Sequence, residues 1–389
     1  MRRNAILFVL ISVLSGFGST AMSLAAGIWV VGLTGSVSLA ALTGLCIYAP
    51  TFAAPWLGAI VDRLPRRPLL IGVDVVLGLL LLSLLTVSTA AEAWLIYAVL
   101  LARGFSYVLL DAGESAILPS ALPPGRLGDV NGWRSSAQEG MKLLAPLAGA
   151  GLFAWRGPVP VVLICAVMPL LTAGCYALMR LPSVPAVRHG PERGEVRAGV
   201  RALFGNPAVR TPVLIAAVAI GLSGLTNPAV IGQVVHGLHL PATRLGFLST
   251  AQGAGSILSG LLVGRLLARL APVPVAALGT AIFAAGCACS AVPWWPAMIA
   301  GSALAGVGLP WALIAGVTAV QTETPDHLLG RVSATSTTVM FGPVALAIPI
   351  GSAAVHLGPS RLFLFVATAC WGTAAAARLS AKRTRAAAE

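Results

Sequence analysis

The chain has 389 residues, of which 57% are hydrophobic and only 10% are charged. Soluble domains carry about 45–50% apolar and about 25% charged residues, so this composition excludes an ordinary water-soluble enzyme and predicts a membrane protein. Lys and Arg number 25 against 12 Asp and Glu, an excess that in a membrane protein is more typical of cytoplasmic loops than of nucleic-acid binding.

Apolar runs separated by Pro, Gly and charged residues predict twelve membrane-spanning helices. A span needs about 20 apolar residues, and because the connections are short, consecutive helices should pack as antiparallel neighbours. The first run follows Arg2 and Arg3 and is too long for a cleaved signal peptide, so we interpret it as a retained helix. In chain order the predicted spans are 5–32, 38–61, 69–89, 93–117, 132–155, 158–180, 210–235, 244–266, 272–292, 295–320, 332–355 and 360–380.

One long connection, which carries Pro, Arg and Glu, separates the predicted spans into two sets of six. The predicted parts are therefore an N-terminal six-helix bundle over 1–181, a cytoplasmic linker over 182–209, a C-terminal six-helix bundle over 210–380 and a cytoplasmic tail over 381–389.

The basic residues predict the orientation in the membrane. With both termini in the cytoplasm, the opposite side receives only Arg156, Arg244 and Arg361, and nearly all other basic residues, Arg134 among them, fall on the cytoplasmic side. Basic residues accumulate in cytoplasmic loops, so we expect this orientation in the cell membrane, inner or plasma. The positive charge then needs no acidic partner besides anionic lipid headgroups.

A short sequence after the second predicted span recurs after the eighth. The first copy runs from Gly58 to Arg67 and the second from Gly260 to Arg269, and each copy follows an apolar helix. The same element therefore recurs at the same place in each half of the chain. Two related six-helix halves are the parallel-repeat plan of transporters whose substrate site lies near the middle of the membrane.

The first copy reads Gly-x-x-x-Asp-Arg-x-x-Arg-Arg and is similar to the loop 2–3 signature of the major facilitator superfamily. The resemblance covers the whole chain and implies an all-α membrane protein with twelve transmembrane helices in two six-helix bundles. One departure is Pro65, where the family usually has glycine.

Two further segments resemble the drug-exporter branch of this family, which includes macrolide-efflux-type proteins. They are the stretch from Pro119 to Gln138 and the sequence Gly330-Arg-Val-Ser-Ala. The antiporter signature of the fifth span is present in part, with Ala145 in place of the glycine before Pro146. The resemblance implies export of a drug-like compound or natural product in exchange for protons.

The repeat and the resemblance together favour a conformational latch at the cytoplasmic side. Asp62 would pair with Arg63 or with a basic residue of a neighbouring helix and hold one conformation. A basic cluster that only sets topology is the alternative. The residues assigned to the latch are Gly58, Asp62, Arg63, Arg66, Arg67, Gly260, Arg265 and Arg269.

Ionisable residues inside predicted spans are costly to bury, which makes each of them a functional candidate. In the fourth and fifth spans they recur at steps of three or four, so those within one span share a helical face. The candidates for substrate binding and proton coupling are Arg103, Tyr107, Asp111 and Glu114 in the fourth span and Glu139 and Lys142 in the fifth. Arg103 also resembles the arginine often found in the fourth span of proton antiporters of the family.

Two interpretations of this group remain open. In one, Glu139 or Asp111 takes and releases protons while Arg103 or Lys142 balances its charge. In the other, static ion pairs hold the fourth and fifth spans together, or the carboxylates lie at the membrane surface. We expect Asp74, one turn into the third predicted span, to lie nearer the surface.

The C-terminal half has no acidic residue between Glu195 and Glu323. Its predicted spans offer Asn227 and Gln252 as further substrate-binding candidates, which suit an apolar or hydrogen-bonding compound. Prolines inside spans predict kinks. The predicted helix pivots are Pro146, Gly149 and Pro228.

The sequence lacks the Gly-Lys-Ser/Thr phosphate loop that direct use of ATP would need, and it lacks HExxH, CxxC and GxSxG motifs. We therefore predict no enzyme, but a secondary active transporter that exports a small amphipathic compound by proton antiport and alternating access. The alternatives are proton-coupled import of a small metabolite and a non-transporting membrane receptor or scaffold. The expected partners are a small-molecule substrate, protons and the lipid bilayer; we expect a monomer with no cofactor, metal or nucleic acid.

Overall fold

The structure is a computed structural model that describes residues 2–53, 57, 61, 64–122, 127–179 and 195–386. The regular elements of these residues are all helical. In chain order the α-helices are α1 (Arg2–Thr34), α2 (Val37–Tyr48), α3 (Arg66–Ser83), α4 (Ala93–Ala121), α5 (Leu127–Arg156), α6 (Pro158–Leu178), α7 (Glu195–Gly205), α8 (Pro207–Gly232), α9 (Leu245–Leu267), α10 (Pro272–Ser290), α11 (Trp295–Glu323), α12 (Asp326–Ala354) and α13 (Pro359–Ala386).

Within the described residues, 10 helical stretches are long and apolar enough to cross a membrane. They coincide with ten of the predicted spans and leave out those at 38–61 and 132–155. The apolar helix at Val37–Ala53 is shorter, and α5 is 30 residues long but carries charged residues along its length. The all-helical, membrane-spanning class is thus confirmed, while the count of twelve spans stays a prediction.

The linker contains a helix that the sequence analysis did not predict. In α7, the apolar residues Val200 and Leu203 lie three positions apart, which places them on one helical face. Leu203 is fully buried, and α7 packs against α12. The polar composition of the linker concealed this short amphipathic pattern.

The chain forms two compact units. Unit 1 comprises Met1–Pro191 and Ala242–Thr250, and unit 2 comprises Glu192–Pro241 and Ala251–Glu389. The segment Ala242–Thr250 belongs to unit 1. One of its contacts is made by Thr250, whose hydroxyl donates to the carbonyl of Leu143 at 3.1 Å.

Within unit 1, α1 packs against α5 and α6, and α3 packs against α4 and α6. Within unit 2, α8 packs against α12 and α13, and α10 packs against α11 and α13. The contacts of α1 with α5 and α6 thus correspond to those of α8 with α12 and α13. The contact of α3 with α6 corresponds to that of α10 with α13.

The pairing of α10 with α11 depends on glycine. A methyl group built on Gly308 would lie 2.5 Å from the carbonyl oxygen of Gly279 and 2.5 Å from the amide nitrogen of Phe283. The two backbones approach too closely for any side chain at this point, as is common where membrane helices pack through small residues.

Candidate functional site

Unit 1 contains a cavity of about 280 Å³ among α1, α3, α4, α5 and α6. Its hydroxyl-bearing lining residues are Ser15, Ser19, Thr20, Tyr107 and Thr172. Its charged and amide-bearing lining residues are Asp74, Arg103, Gln138 and Lys142. Apolar side chains complete the wall, so the cavity offers both hydrogen bonds and apolar contact, as small-molecule sites commonly do.

Arg103 of α4 is buried, with 9% of its surface exposed. Its Nη1 donates to the hydroxyl of Ser23 at 2.9 Å, and its Nη2 donates to the hydroxyl of Ser19. These serines lie one turn apart on α1, and Ser23 in turn donates to the backbone oxygen of Ser19. In the described part of the chain, the guanidinium is held by hydroxyl groups and by no carboxylate.

Asp74 of α3 is the second buried ionisable group on the cavity, with only 3% of its surface exposed. Thr172 of α6 donates its hydroxyl to Asp74 Oδ2 at 2.6 Å. Asp74 lies further into its helix than predicted, because α3 begins at Arg66 and not at residue 69. At 1.5 Å per residue, eight residues place Asp74 about 12 Å along the helix axis from its start.

Glu114 forms a separate polar cluster with side chains of α1, α5 and α6. Arg134 of α5 makes a salt bridge with its carboxylate, and the hydroxyl of Tyr176 donates to the same group. Arg134 also donates from Nε to the hydroxyl of Ser12 at 3.2 Å and lies 5.7 Å from the ring centre of Phe8. This cluster joins α4 to α5, as the interpretation by static ion pairs requires.

From the sequence, Arg134 was expected only to lie on the cytoplasmic side, and its pairing with Glu114 was not predicted. A signal was present, because Arg134, Gln138 and Lys142 follow one another at steps of four along α5. Residues at that spacing lie on one helical face, and the latter two line the cavity.

The remaining candidates of α4 and α5 are placed differently. Tyr107 lines the cavity although 62% of its surface is exposed. Lys142 also lines the cavity, whereas Asp111 is exposed and is not one of the cavity residues. The side chain of Glu139 lies outside the described residues, so its predicted role stays a prediction.

In unit 2, Asn227 of α8 and Gln252 of α9 are both exposed on their helices. The buried amide of this unit is instead Gln233, whose Nε2 donates to the backbone oxygen of Ala291 and to the hydroxyl of Ser360. Gln233 therefore connects segments within unit 2.

The structure describes only some residues of the predicted latch. Gly58, Asp62 and Arg63 lie outside the described residues. Arg67 donates from Nε to the carbonyl of Tyr176 at 3.1 Å and from Nη2 to that of Ala177. Arg3 donates to the carbonyl of Leu178. Two arginines thus bind the last carbonyls of α6, where unpaired acceptors and the negative end of the helix dipole favour cations.

The second copy of the latch sequence lies at the end of α9. Arg265 and Arg269 are exposed, and Arg66 of the first copy is half-buried. A methyl group built on Gly260 would have no atom within 4 Å. Gly260 therefore does not mark a close helix approach within the described residues.

The predicted pivots lie at close helix contacts. Pro146 is inside α5, and a methyl group on Gly149, one turn later, would lie 3.2 Å from Cα of Ala21 in α1. In unit 2, a methyl group on Gly351 would lie 2.8 Å from the ring of Pro228 in α8. A proline and a small residue therefore stand at a helix contact in each unit.

A family model described as Major Facilitator Superfamily matches residues 8–226 and 213–388. Among solved structures, the chain is similar to a mutant of the nucleoside transporter NupG, with 15% identity and a TM-score of 0.76 over 97% of this chain and 99% of that one. It is also similar to a bacterial homologue of the iron transporter ferroportin in an inward-facing state, with 17% identity and a TM-score of 0.69 over 97% and 98%.

A POT family transporter in complex with a thioalcohol-conjugated peptide shows 10% identity and a TM-score of 0.75 over 98% of this chain and 96% of that one. At such identities the likeness establishes the fold alone. No curated protein matches the sequence.

Proposed function

The chain belongs to the Major Facilitator Superfamily, and from this premise we propose that it is a secondary active transporter that exports a small amphipathic compound in exchange for protons. Family and fold identify a multi-pass membrane transporter and not an enzyme. The observation that supports proton coupling is the placement of two buried ionisable groups, Asp74 and Arg103, on one cavity of unit 1.

The proposed topology has twelve spans in two six-helix bundles, with both termini in the cytoplasm. Helices α1 to α6 and α8 to α13 supply the spans, and the distribution of basic residues supports the orientation. The bundles would move relative to one another in alternating access, as a monomer, with Asp62 and Arg63 as latch partners and Arg67 anchored on the end of α6.

The chemistry of the cavity supports a substrate with both apolar and polar parts. Leu77, Leu110 and Met168 offer apolar contact, and Arg103 and Lys142 offer charge on other parts of the wall. Ionisable groups inside a membrane protein are costly and are found where ions or substrates pass. A non-transporting receptor or scaffold has little use for them.

Import of a small polar metabolite is the second candidate. The hydroxyl, amide and charged side chains that line the cavity favour it, since such groups can exchange hydrogen bonds with the polar groups of a metabolite.

Accumulation of fluorescent amphipathic dyes in cells that express the chain tests the proposal. We expect lower dye content than in cells with empty vector, and a return to the control level when a protonophore collapses the gradient. Cells that express the Arg103→Ala variant serve as the matched control for overexpression of the protein. Higher dye content than in the vector control would favour import, and unchanged content for every dye would contradict export of amphipathic compounds.

A further inference from the structure

We propose that Asp74 is the carboxylate that binds and releases the coupled proton, and that Thr172 is its positioning residue. The inference rests on the proposed proton coupling. It assigns this coupling to a residue that the sequence indicated to lie only one turn into the third span. It replaces Asp111 and Glu139 as the residues expected to carry the proton.

The first support is the hydrogen-bond geometry at Thr172. Its Oγ1 lies 2.6 Å from Asp74 Oδ2 and 2.9 Å from the carbonyl oxygen of Pro169. A hydroxyl has one proton to donate and two lone pairs that accept, so Thr172 can donate to only one of these oxygens at a time.

This geometry satisfies both protonation states of the carboxyl group. When Asp74 is ionised, Thr172 donates to it. When Asp74 is protonated, its O–H donates to Oγ1 of Thr172, whose own proton then goes to the carbonyl of Pro169. Neither state leaves a buried polar atom without a partner, which would be costly, and no heavy atom has to move between them.

The other carboxylates of α4 lack this property. The described partners of Glu114 are the salt bridge with Arg134 and the hydroxyl of Tyr176, and both stabilise the ionised form. Protonation of Glu114 would leave Arg134 without its counter-charge in a mostly buried position, with only 16% of that side chain exposed. Asp111 is exposed and does not line the cavity.

The charges around Asp74 do not fix its protonation state. The charged and titratable groups that face it or share its cavity within the described residues are Arg103, Tyr107 and Glu114 of α4, Lys142 of α5, and Cys165, Cys175 and Tyr176 of α6. Glu114 opposes a second negative charge, whereas Arg103 and Lys142 favour one. Arg103 is bound to serine hydroxyls, so its charge is not consumed in an ion pair with Asp74.

The cavity also gives the proton a route. Its volume of about 280 Å³ is several times the roughly 30 Å³ that one water molecule occupies in the liquid, so the cavity has room for water molecules. Asp74 would transfer its proton from the carboxyl oxygen to a water molecule in the cavity and become a carboxylate. The reverse step restores the acid, and each transfer changes the net charge of the cavity lining by one.

Infrared difference spectra of the purified full chain, recorded between acid and alkaline pH, test the assignment without any substrate. We expect a band of a protonated buried carboxyl group in the wild type and in the Glu114→Gln variant, and no such band in Asp74→Asn. Glu114→Gln and Asp111→Asn are the matched controls. A band that persists in Asp74→Asn, or that disappears in Glu114→Gln, would overturn the assignment.

Thr172 has its own test. Thr172→Val removes the donor to the ionised form, so the carboxyl should keep its proton to a higher pH, and the pH midpoint of the band should move upward by about 1–2 units. Thr172→Ser keeps the hydroxyl and should leave the midpoint in place. An unchanged midpoint in Thr172→Val would show that the hydroxyl does not position the carboxyl.

Transport separates this inference from the proposed function. In proteoliposomes with ethidium as the probe, Asp74→Asn should lower gradient-driven movement at least about tenfold, whereas Asp111→Asn, which alters a residue outside the cavity, should move ethidium near the wild-type rate. Full gradient-driven movement by Asp74→Asn would overturn the inference. No gradient-driven movement by the wild type would contradict the proposed coupling, whereas the infrared band would still decide which residue holds the proton.

Discussion

The interiors of the two units differ in the chemistry of their buried polar groups. The described polar residues buried in unit 1 include Asp74 and Arg103, which are ionisable, together with Asn4, Ser12, Thr43 and Thr172. Those buried in unit 2 are all neutral, namely Gln233, Ser259, Thr280, Ser290, Ser336 and Ser352. The pairings of α1 with α5 and α6 and of α3 with α6 have counterparts in unit 2, so these shared contacts do not account for the difference.

This contrast indicates that the buried ionisable side chains belong to one part of the chain. Burying a charge inside a membrane protein is costly and persists where it serves a function. Unit 1 bears that cost and contains the cavity, whereas the described polar groups buried in unit 2 are one amide and several hydroxyls. The proposed proton coupling therefore belongs to unit 1, and the following predictions test the contrast between an ionic interior in unit 1 and a neutral one in unit 2.

The largest effect on stability is expected at the Glu114–Arg134 pair. Arg134→Met leaves a mostly buried carboxylate without its counter-charge and should lower the free energy of unfolding by about 3–5 kcal/mol. Thermal unfolding of the purified protein measures this. The double variant Glu114→Leu with Arg134→Met should lose less than the single one, because no unpaired charge remains. A double variant that is less stable than Arg134→Met would contradict the ionic account of this cluster.

An intermediate loss of stability is expected in unit 2, where the substitution disturbs the packing of two helices and not an ion pair. Gly308→Ala places a methyl group 2.5 Å from the backbone of α10 and should cost about 1–3 kcal/mol through overpacking. Gly372→Ala is the matched control, since a methyl group there would meet no atom within 4 Å. Unfolding midpoints of the two variants should differ clearly. Equal midpoints would show that the α10–α11 contact is loose.

The smallest effect is expected where arginines bind the end of α6. Arg67→Ala removes two hydrogen bonds to terminal carbonyls and should lower stability by about 0.3–1 kcal/mol, the usual size of a charge–dipole contribution. Arg265→Ala, at an exposed position, provides the comparison. If the two variants unfold at the same temperature, the binding of Arg67 to α6 contributes nothing measurable.

Ten spans and their approximate ends could be predicted from the sequence, because an apolar run of about 20 residues has the length that crosses a bilayer. The burial of Arg103 also follows from its place well inside such a run. In contrast, the pairing of Asp74 with Thr172 joins residues 98 positions apart. It depends on the packing of α3 against α6, which hydropathy does not encode.

The other differences between the predicted and the observed helices arise because some helices begin a few residues earlier than predicted. The third predicted span begins at residue 69, whereas α3 begins at Arg66, so Asp74 lies nearly one turn further along its helix. The fifth predicted span begins at residue 132 and α5 at Leu127, so Arg134 lies inside a helix, where the distribution of basic residues indicated only a contribution to the cytoplasmic charge. In both cases charged residues that belong to a helix obscured where it begins, because composition alone does not separate a helical turn from a loop.

The most direct test of the central claim is proton movement by the purified full chain in proteoliposomes that contain a pH-sensitive dye. With ethidium loaded on one side only, the account predicts that ethidium leaves down its gradient while protons move in the opposite direction. This proton signal should be absent in Asp74→Asn and present in Asp111→Asn. Ethidium movement without any proton signal in the wild type would contradict proton antiport, and an unaltered signal in Asp74→Asn would contradict the assignment of Asp74.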